Sequence, residues 1–523
     1  MKRSRVFKWS LLMILAIILT MNLSAGGGTQ SSAAASGARE LTICKPDIAG
    51  TATPVSFNDN LPVWNEVQKR LNLKINWEVL PPAQYNTSAQ ARLAAGINLP
   101  DIIQLPTTSV TDVMKYAQQG ILIKLNDLIN SNGPDIVNLF KKNPDLAAGM
   151  TDPDGNIYFF TNYLLDVPNG QGMVVRKDLL DKLGLQIPKT IDDWYKVLST
   201  LKTTNLITPT SDIVPYGGNV RFFKSGFGIP VQQPENAYFY PDSNNKIIYD
   251  AMRDEFRDYL TFMNKLSTEG MLDPMYGTGA TNINDLLTKG LVPTTAANPG
   301  DCDNYINQVK GAIGGDPLFV WTFTPVGPDG KGRWVPLPTA RGDTYQGITR
   351  DCKNPALAME FLNYVYANPE GTRLSLCGIE GIHYNIVNGK IQFTDNMINN
   401  PQYNIITQLR LIGAFHYLDI QNGEFNIARG VGQYKAGIDL IAANPDQYIA
   451  AIPALIPTES EQSAIMEYWP DIKTYIDEMT IRFIKGNEPL SNFNAFRNKL
   501  RDMGIDKLTA LYQGMYERYQ KSL

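Results

Sequence analysis

Apolar positions along this chain switch between two periods, and the switches outline its elements. A short strand-like run, Glu40-Leu41-Thr42-Ile43-Cys44, opens the folded part, and a loop rich in Pro, Gly, Asn and Asp follows through Asn60. Leu61, Trp64, Val67 and Leu71 then recur at helical spacing. Residues 73–79 alternate apolar and polar as a half-buried strand does. Helix over 87–95, strand over 101–105 and helix over 110–119 complete the first stretch. Strand and helix alternate at the spacing of an α/β domain with crossover connections.

The same grammar continues downstream. Thr190 and Asp193 form a capping box ahead of a helix through Leu201. Residues 246–249 are strand-like, and 251–267 form an amphipathic helix ending at Gly270. Asn354-Pro355 is a strong helix start, with Ala358, Phe361, Leu362 and Val365 on one face and Pro369 as the stop. The last 60 residues are mainly helical, with Leu508, Leu511, Met515 and Tyr519 on one face. Asp152-Pro153-Asp154-Gly155 and Gly327-Pro328-Asp329-Gly330 read as tight turns.

The amino terminus has a different character. Lys2, Arg3, Arg5 and Lys8 precede the apolar run Leu11–Leu19, and Leu23-Ser24-Ala25 supplies small residues. Residues 1–25 therefore read as a secretory signal, shorter in its apolar core than the ~20 residues of a membrane span. Residues 26–38, almost all Gly, Ser, Ala, Thr and Gln, read as a flexible tether. The remainder is long enough for two or three domains at ~100–200 residues each.

Charge narrows the partners. Taking the four basic residues of the leader from the 47 leaves 43 against 51 acidic ones, which disfavours nucleic acid or an anionic membrane surface. Four cysteines, Cys44, Cys302, Cys352 and Cys377, form no CxxC pair, so no zinc site is expected. Both buried thiols and a Cys352–Cys377 disulfide fit an oxidising compartment. No cofactor or metal is expected, because the acidic turns at 152–155 and 242–250 lack EF-hand spacing.

Catalytic patterns are scarce. The two histidines, His383 and His416, have no G-x-S-x-G nearby, and neither H-E-x-x-H nor a phosphate-binding glycine loop occurs. A carboxylate pair of the glycosidase kind stays open, since 51 acids allow many pairings.

Several stretches carry a family likeness. Gly96-Ile97-Asn98-Leu99-Pro100-Asp101-Ile102-Ile103, the run Val175–Gly184 with Pro188, Thr190 and Trp194, and Glu269–Pro274 resemble segments of extracellular solute-binding proteins of the large oligosaccharide-binding lipoprotein type. Lys353–Gly371, Gly378–Tyr384, Phe483–Gly486 and Leu500–Tyr519 extend the likeness across the chain. It departs at the lipobox, where Leu23-Ser24-Ala25 is followed by Gly26 rather than cysteine, so no thiol is there to lipidate.

The resemblance implies an α/β, two-lobed periplasmic-binding-protein type II fold with a hinge and an inter-lobe cleft. Residues 39–162 and 336–385 would form the amino-terminal lobe, and 163–335 and 386–523 the carboxy-terminal lobe. It implies a monomer that captures an oligosaccharide and delivers it to ABC transporter permease subunits. A secreted glycan-processing enzyme and a surface sensor or adhesion module are the alternatives. Sugars call for aromatic faces and hydrogen-bonding groups. Candidate contacts by position are Asn58, Asn60, Tyr163, Phe222, Phe223, Trp321, Glu380, His383 and Tyr384. Trp469, placed ahead of a carboxy-terminal helix, resembles the stacking aromatic of sugar receptors. Arg176 fits either a ligand contact or a structural ion pair.

Overall fold

The computed structural model describes residues 39–49, 53–207, 212–231, 239–278, 283–400, 403–415, 417–418, 420–452 and 455–523. The leader, the tether, Gly26 and His416 lie outside the described residues.

The chain begins with β1 (Glu40–Pro46), α1 (Pro62–Leu71), β2 (Lys74–Leu80), α2 (Pro82–Ala95), β3 (Ile102–Gln104) and α3 (Val110–Gln118). β4 (Phe160–Tyr163) and β5 (Gly172–Arg176) follow, then α4 (Ile191–Lys202), α5 (Asp254–Thr268), β6 (Thr294–Ala297), α6 (Asp301–Ile313) and β7 (Phe319–Thr322). β8 (Ala340–Ile348), α7 (Pro355–Tyr366), α8 (Gly432–Ala443), α9 (Glu459–Lys485) and α10 (Ile505–Ser522) complete the frame.

Two sheets organise it. The first has the order β2-β1-β3-β8-β4. β1 pairs in parallel with β2 and β3, while β8 runs antiparallel between β3 and β4. Central β1 buries Leu41, Ile43, Cys44 and Lys45, whereas only Ile75 of edge strand β2 is fully buried. The second sheet, β6-β5-β7, is antiparallel. Met173 and Val175 of β5 enter one core and Val174 the other, which accounts for the unbroken apolar run there.

The local signals are realised in detail. Thr190 and Asp193 form a reciprocal capping box at α4, and Thr458 and Glu461 form another at α9. The Asn354 side chain accepts the Leu357 N–H at 3.0 Å with Pro355 at the first helical position. Pro369 does more than stop α7: it starts a second helix, Pro369–Cys377, capped by Asn368. All four cysteines are free and buried, so Cys352 and Cys377 form no disulfide.

One core gathers apolar side chains from Leu41 to Tyr163 and from Ala340 to Phe425, with Ile456. Two adjoining cores use residues 173–335 together with 441–516. Ile391, Phe393, Met397, Ile405, Leu409 and Phe425 thus pack in the first core, although an expected boundary at 386 assigns them to the second lobe. The reason is local: the ribbon Tyr384–Val387/Lys390–Phe393 folds back onto the first core instead of leaving it.

The chain passes between the cores at three places that are hydrogen-bonded side by side. Leu164 N–H donates to Thr339 O (3.0 Å), Leu165 N–H to Gln421 O (3.0 Å), Gln421 N–H to Tyr163 O (2.8 Å) and Leu337 N–H to Asn169 O (2.8 Å).

Candidate functional site

The carboxyl ends of the strands and the seam between the cores are where an α/β fold offers a ligand site. On the first side, β1 runs into a loop gathered around Asp47. Its carboxylate accepts the N–H groups of Ile48 (2.8 Å) and Phe57 (3.0 Å) and the Ser56 hydroxyl (2.6 Å). Asn58 and Asn60 stand exposed on this loop. After β3, Thr107 Oγ1 accepts the Ser109 N–H and donates to Asp112, each at 3.0 Å, which fixes the entry to α3.

On the second side, β6 leads to Asn298, whose N–H donates to Asp301 at 2.9 Å, at the start of α6. Burial raises the Asp301 carboxyl above the usual carboxylate range, against the lowering effect of Asn298. Asn219 Oδ1 accepts the Arg221 N–H at 3.1 Å on the neighbouring segment.

Direct bonds join the two sides. Gln462 Nε2 of α9 donates to Thr111 O of α3 at 2.8 Å, and Asn404 Nδ2 donates to Asn304 Oδ1 at 2.6 Å. A cavity of about 290 Å³ lies in the seam, lined by Ala148, Thr151, Asp152 and Pro153 on one side and by Met515, Arg518 and Tyr519 of α10 on the other, with Leu455 and Ile456. A larger groove, about 610 Å³, runs between α2 and α3. It draws nothing from the second side, so relative movement of the two sides cannot close it.

The residues expected to touch a ligand divide sharply. Tyr163 is a core residue: its hydroxyl donates to Tyr366 O at 2.8 Å, and its ring meets Tyr366 edge-on at 5.0 Å. Phe222 and Phe223 are fully buried, Phe223 against Trp194, Tyr216 and Phe262. Their polar neighbours suggested a surface loop, but a helical turn over Val220–Phe227 turns both rings inward. Trp321 is buried edge-on against Phe323 and Trp334.

Arg176 is buried and forks onto Asp178, Nε and Nη2 each at 2.7 Å, which is the ion pair expected as one of its two roles. Trp469 lies inside α9, half-buried against Phe239 and Tyr249, because α9 starts at Glu459, capped by Thr458, and carries Pro470 within it. The Trp-Pro pair imitates a helix boundary without being one.

Glu380, His383 and Tyr384 sit together at the base of the Tyr384–Phe393 ribbon in the first body. Glu380 is exposed and Tyr384 buried, its phenol pushed up to about 12 chiefly by burial. His383 Nδ1 accepts the Ile379 N–H at 2.9 Å, and burial holds its pKa below the ordinary value. Among the described residues no cluster of three metal-ligating side chains occurs.

Sequence reasoning missed the buried polar cluster at the third crossing. Arg429 donates to Asn426 Oδ1 (3.0 Å), Gln421 Oε1 (3.1 Å) and the Tyr434 hydroxyl (2.8 Å), with its guanidinium over the Tyr434 ring at 4.1 Å. Only the glycines at 430 and 432 hinted at unusual backbone there.

Comparison with known proteins settles the family. Residues 58–372 match the family of bacterial extracellular solute-binding proteins. The chain belongs to that family. The polygalacturonan/rhamnogalacturonan-binding protein YtcQ of Bacillus subtilis is 23% identical over 544 aligned positions, covering 98% of this chain and 99% of YtcQ. The fructooligosaccharide ABC transporter substrate-binding protein FusA of Streptococcus pneumoniae is 27% identical over 237 residues, 42% of this chain and 43% of FusA, so that match spans less than half of FusA. Among solved structures, the alginate-binding protein AlgQ2, crystallised without calcium ion, superposes with a TM-score of 0.75 at 22% identity, covering 91% of this chain and 98% of AlgQ2. FusA in complex with kestose gives 0.71 at 20% identity, covering 92% of this chain and all of FusA. The fold is therefore that of the periplasmic-binding proteins, with mixed helix and sheet.

Proposed function

We propose that this solute-binding protein captures an oligosaccharide between its two bodies and passes it to the permease subunits of an ABC importer. The observation that carries the reading is the pairing of two α/β bodies through three adjacent crossings, with a cavity of about 290 Å³ in the seam between them. Closure of such a pair around a ligand is a hinge movement that shifts an existing equilibrium. The lobes would then run to the crossings near 164, 336 and 421–431 rather than to 386. Carbohydrate is the favoured ligand class because relatives across the chain's whole length carry polygalacturonan, alginate and kestose in their names. The chain acts as a monomer and binds without turnover. With Gly26 in the lipobox position, the exported protein carries no lipid there and is either released or held at the surface by another route.

Thermal unfolding of the purified protein against oligogalacturonides, alginate oligomers and fructo-oligosaccharides tests the proposal. A raised midpoint with the saccharide recovered intact supports capture. Recovery of cleaved product overturns it in favour of a glycan-processing enzyme, and no shift with any saccharide overturns the ligand class. Partition of the exported protein into the aqueous phase of a detergent extraction checks that no lipid is attached.

A further inference from the structure

The third crossing contains features that packing alone does not require. Three non-glycine residues take left-handed backbone there or beside it: Asp166 (φ 68°), Phe415 (φ 51°) and Leu418 (φ 57°). Such conformations cost of order 1 kcal/mol or more each and cluster where a structure switches. Asn426, 1% exposed, uses its carbonyl to accept from Arg429 Nε (3.0 Å) and the Tyr434 hydroxyl (3.1 Å), while its Nδ2 finds no hydrogen-bond partner. A buried donor left unsatisfied is rare and destabilises the arrangement that strands it.

The same cluster is wired to both bodies. Gln421 holds the first crossing through its backbone, exchanging bonds with Tyr163 and Leu165, and holds Arg429 through its side chain at 3.1 Å. Tyr434 lies in the first turn of α8, and that turn is capped from α6: Asp303 accepts the N–H groups of Gln433 (3.0 and 3.1 Å) and Tyr434 (3.2 Å). Arg429 thus spans from a strap fixed to the first core to a helix fixed to the second body.

We propose that Arg429, Tyr434 and Asn426 form a hinge latch that sets the balance between this arrangement, with its Gln462–Thr111 and Asn404–Asn304 bonds, and a more open one. Arg429 and Tyr434 favour the arrangement described, and the stranded Asn426 donor favours the other, so the gap stays small enough for a ligand to tip. The inference rests on the capture reading, since a latch needs two arrangements to choose between.

The test is a distance distribution on the full chain. Spin labels on Lys69→Cys and Lys499→Cys, exposed positions in the two bodies, report their separation in ligand-free protein and with each saccharide above. The four native thiols are buried. Arg429→Lys, which keeps the charge but loses the fork, and Tyr434→Phe, which loses only the hydroxyl, should move the ratio of long to short separations by at least ~5-fold toward long. Tyr434→Phe is mild enough to fold if Arg429→Lys does not. Unchanged ratios in natively folded variants overturn the latch and leave capture standing. A single separation in the parent protein, with and without saccharide, overturns both.

Discussion

Replacing Arg176 separates a structural role from a binding role at one position. Its side chain and that of Asp178 are 9% and 14% exposed, and the guanidinium also lies over Phe319 at 5.4 Å. Asp178 accepts the Leu318 N–H at 3.0 Å besides, so the pair ties β5, β7 and the helix start at Lys177 together. Removing one partner of a buried pair costs about 3–5 kcal/mol, because the other charge stays behind. Asp178 keeps its bond to Leu318, so Arg176→Ala should cost about 3 kcal/mol, near the lower end. Arg176→Lys, which loses the bidentate fork, should cost about 1–2 kcal/mol. Burial pushes the Asp178 carboxyl up, but Arg176 and the Leu318 N–H outweigh it and hold the group below the usual range. The pair therefore contributes fully above the unfolded value of about 3.9 and loses its contribution as pH falls through the folded one. Urea unfolding at pH 7 and pH 3 measures both effects, with saccharide titration of each variant alongside. Undiminished stability with lost saccharide binding in Arg176→Ala would refute the reasoning and make Arg176 a ligand contact.

Tyr163→Phe strands a buried carbonyl at Tyr366 and should cost about 1–2 kcal/mol by urea unfolding while saccharide affinity stays unchanged. His383 is held below its ordinary pKa, so the stability it lends is present above about pH 6.5 and declines as pH falls toward the folded value; His383→Gln should flatten that slope in a pH series of melts. Ellman titration of native protein should find no reactive thiol and of unfolded protein four, and dithiothreitol should leave the melting midpoint unmoved.

Regular elements were legible where one signal dominated. The period change between α1 and β2, the Thr190–Asp193 box and the Asn354-Pro355 start each reappear in place, because capping and burial act over a few residues. Site residues were less legible because side-chain direction depends on distant packing. Phe222 and Phe223 looked like loop aromatics until the turn at 220–227 placed them against Trp194 and Phe262. Trp469 looked like a helix entrance, whereas α9 absorbs Pro470 and continues to Lys485. The Arg429 cluster joins positions 421, 426, 429 and 434, and none of the spacings is a motif; only the meeting of two crossings gives them one surrounding.

The insertion of β8 between β3 and β4 also bears on the order of folding. Until residue 348 has been made, β3 and β4 have no partner on their facing edges, and open strand edges invite pairing with other chains. The sheet β6-β5-β7 draws its strands from residues 172–322 alone and can assemble while the first sheet still waits. Pairings across such long sequence separations are slow to form. The first sheet should therefore be the later of the two to close.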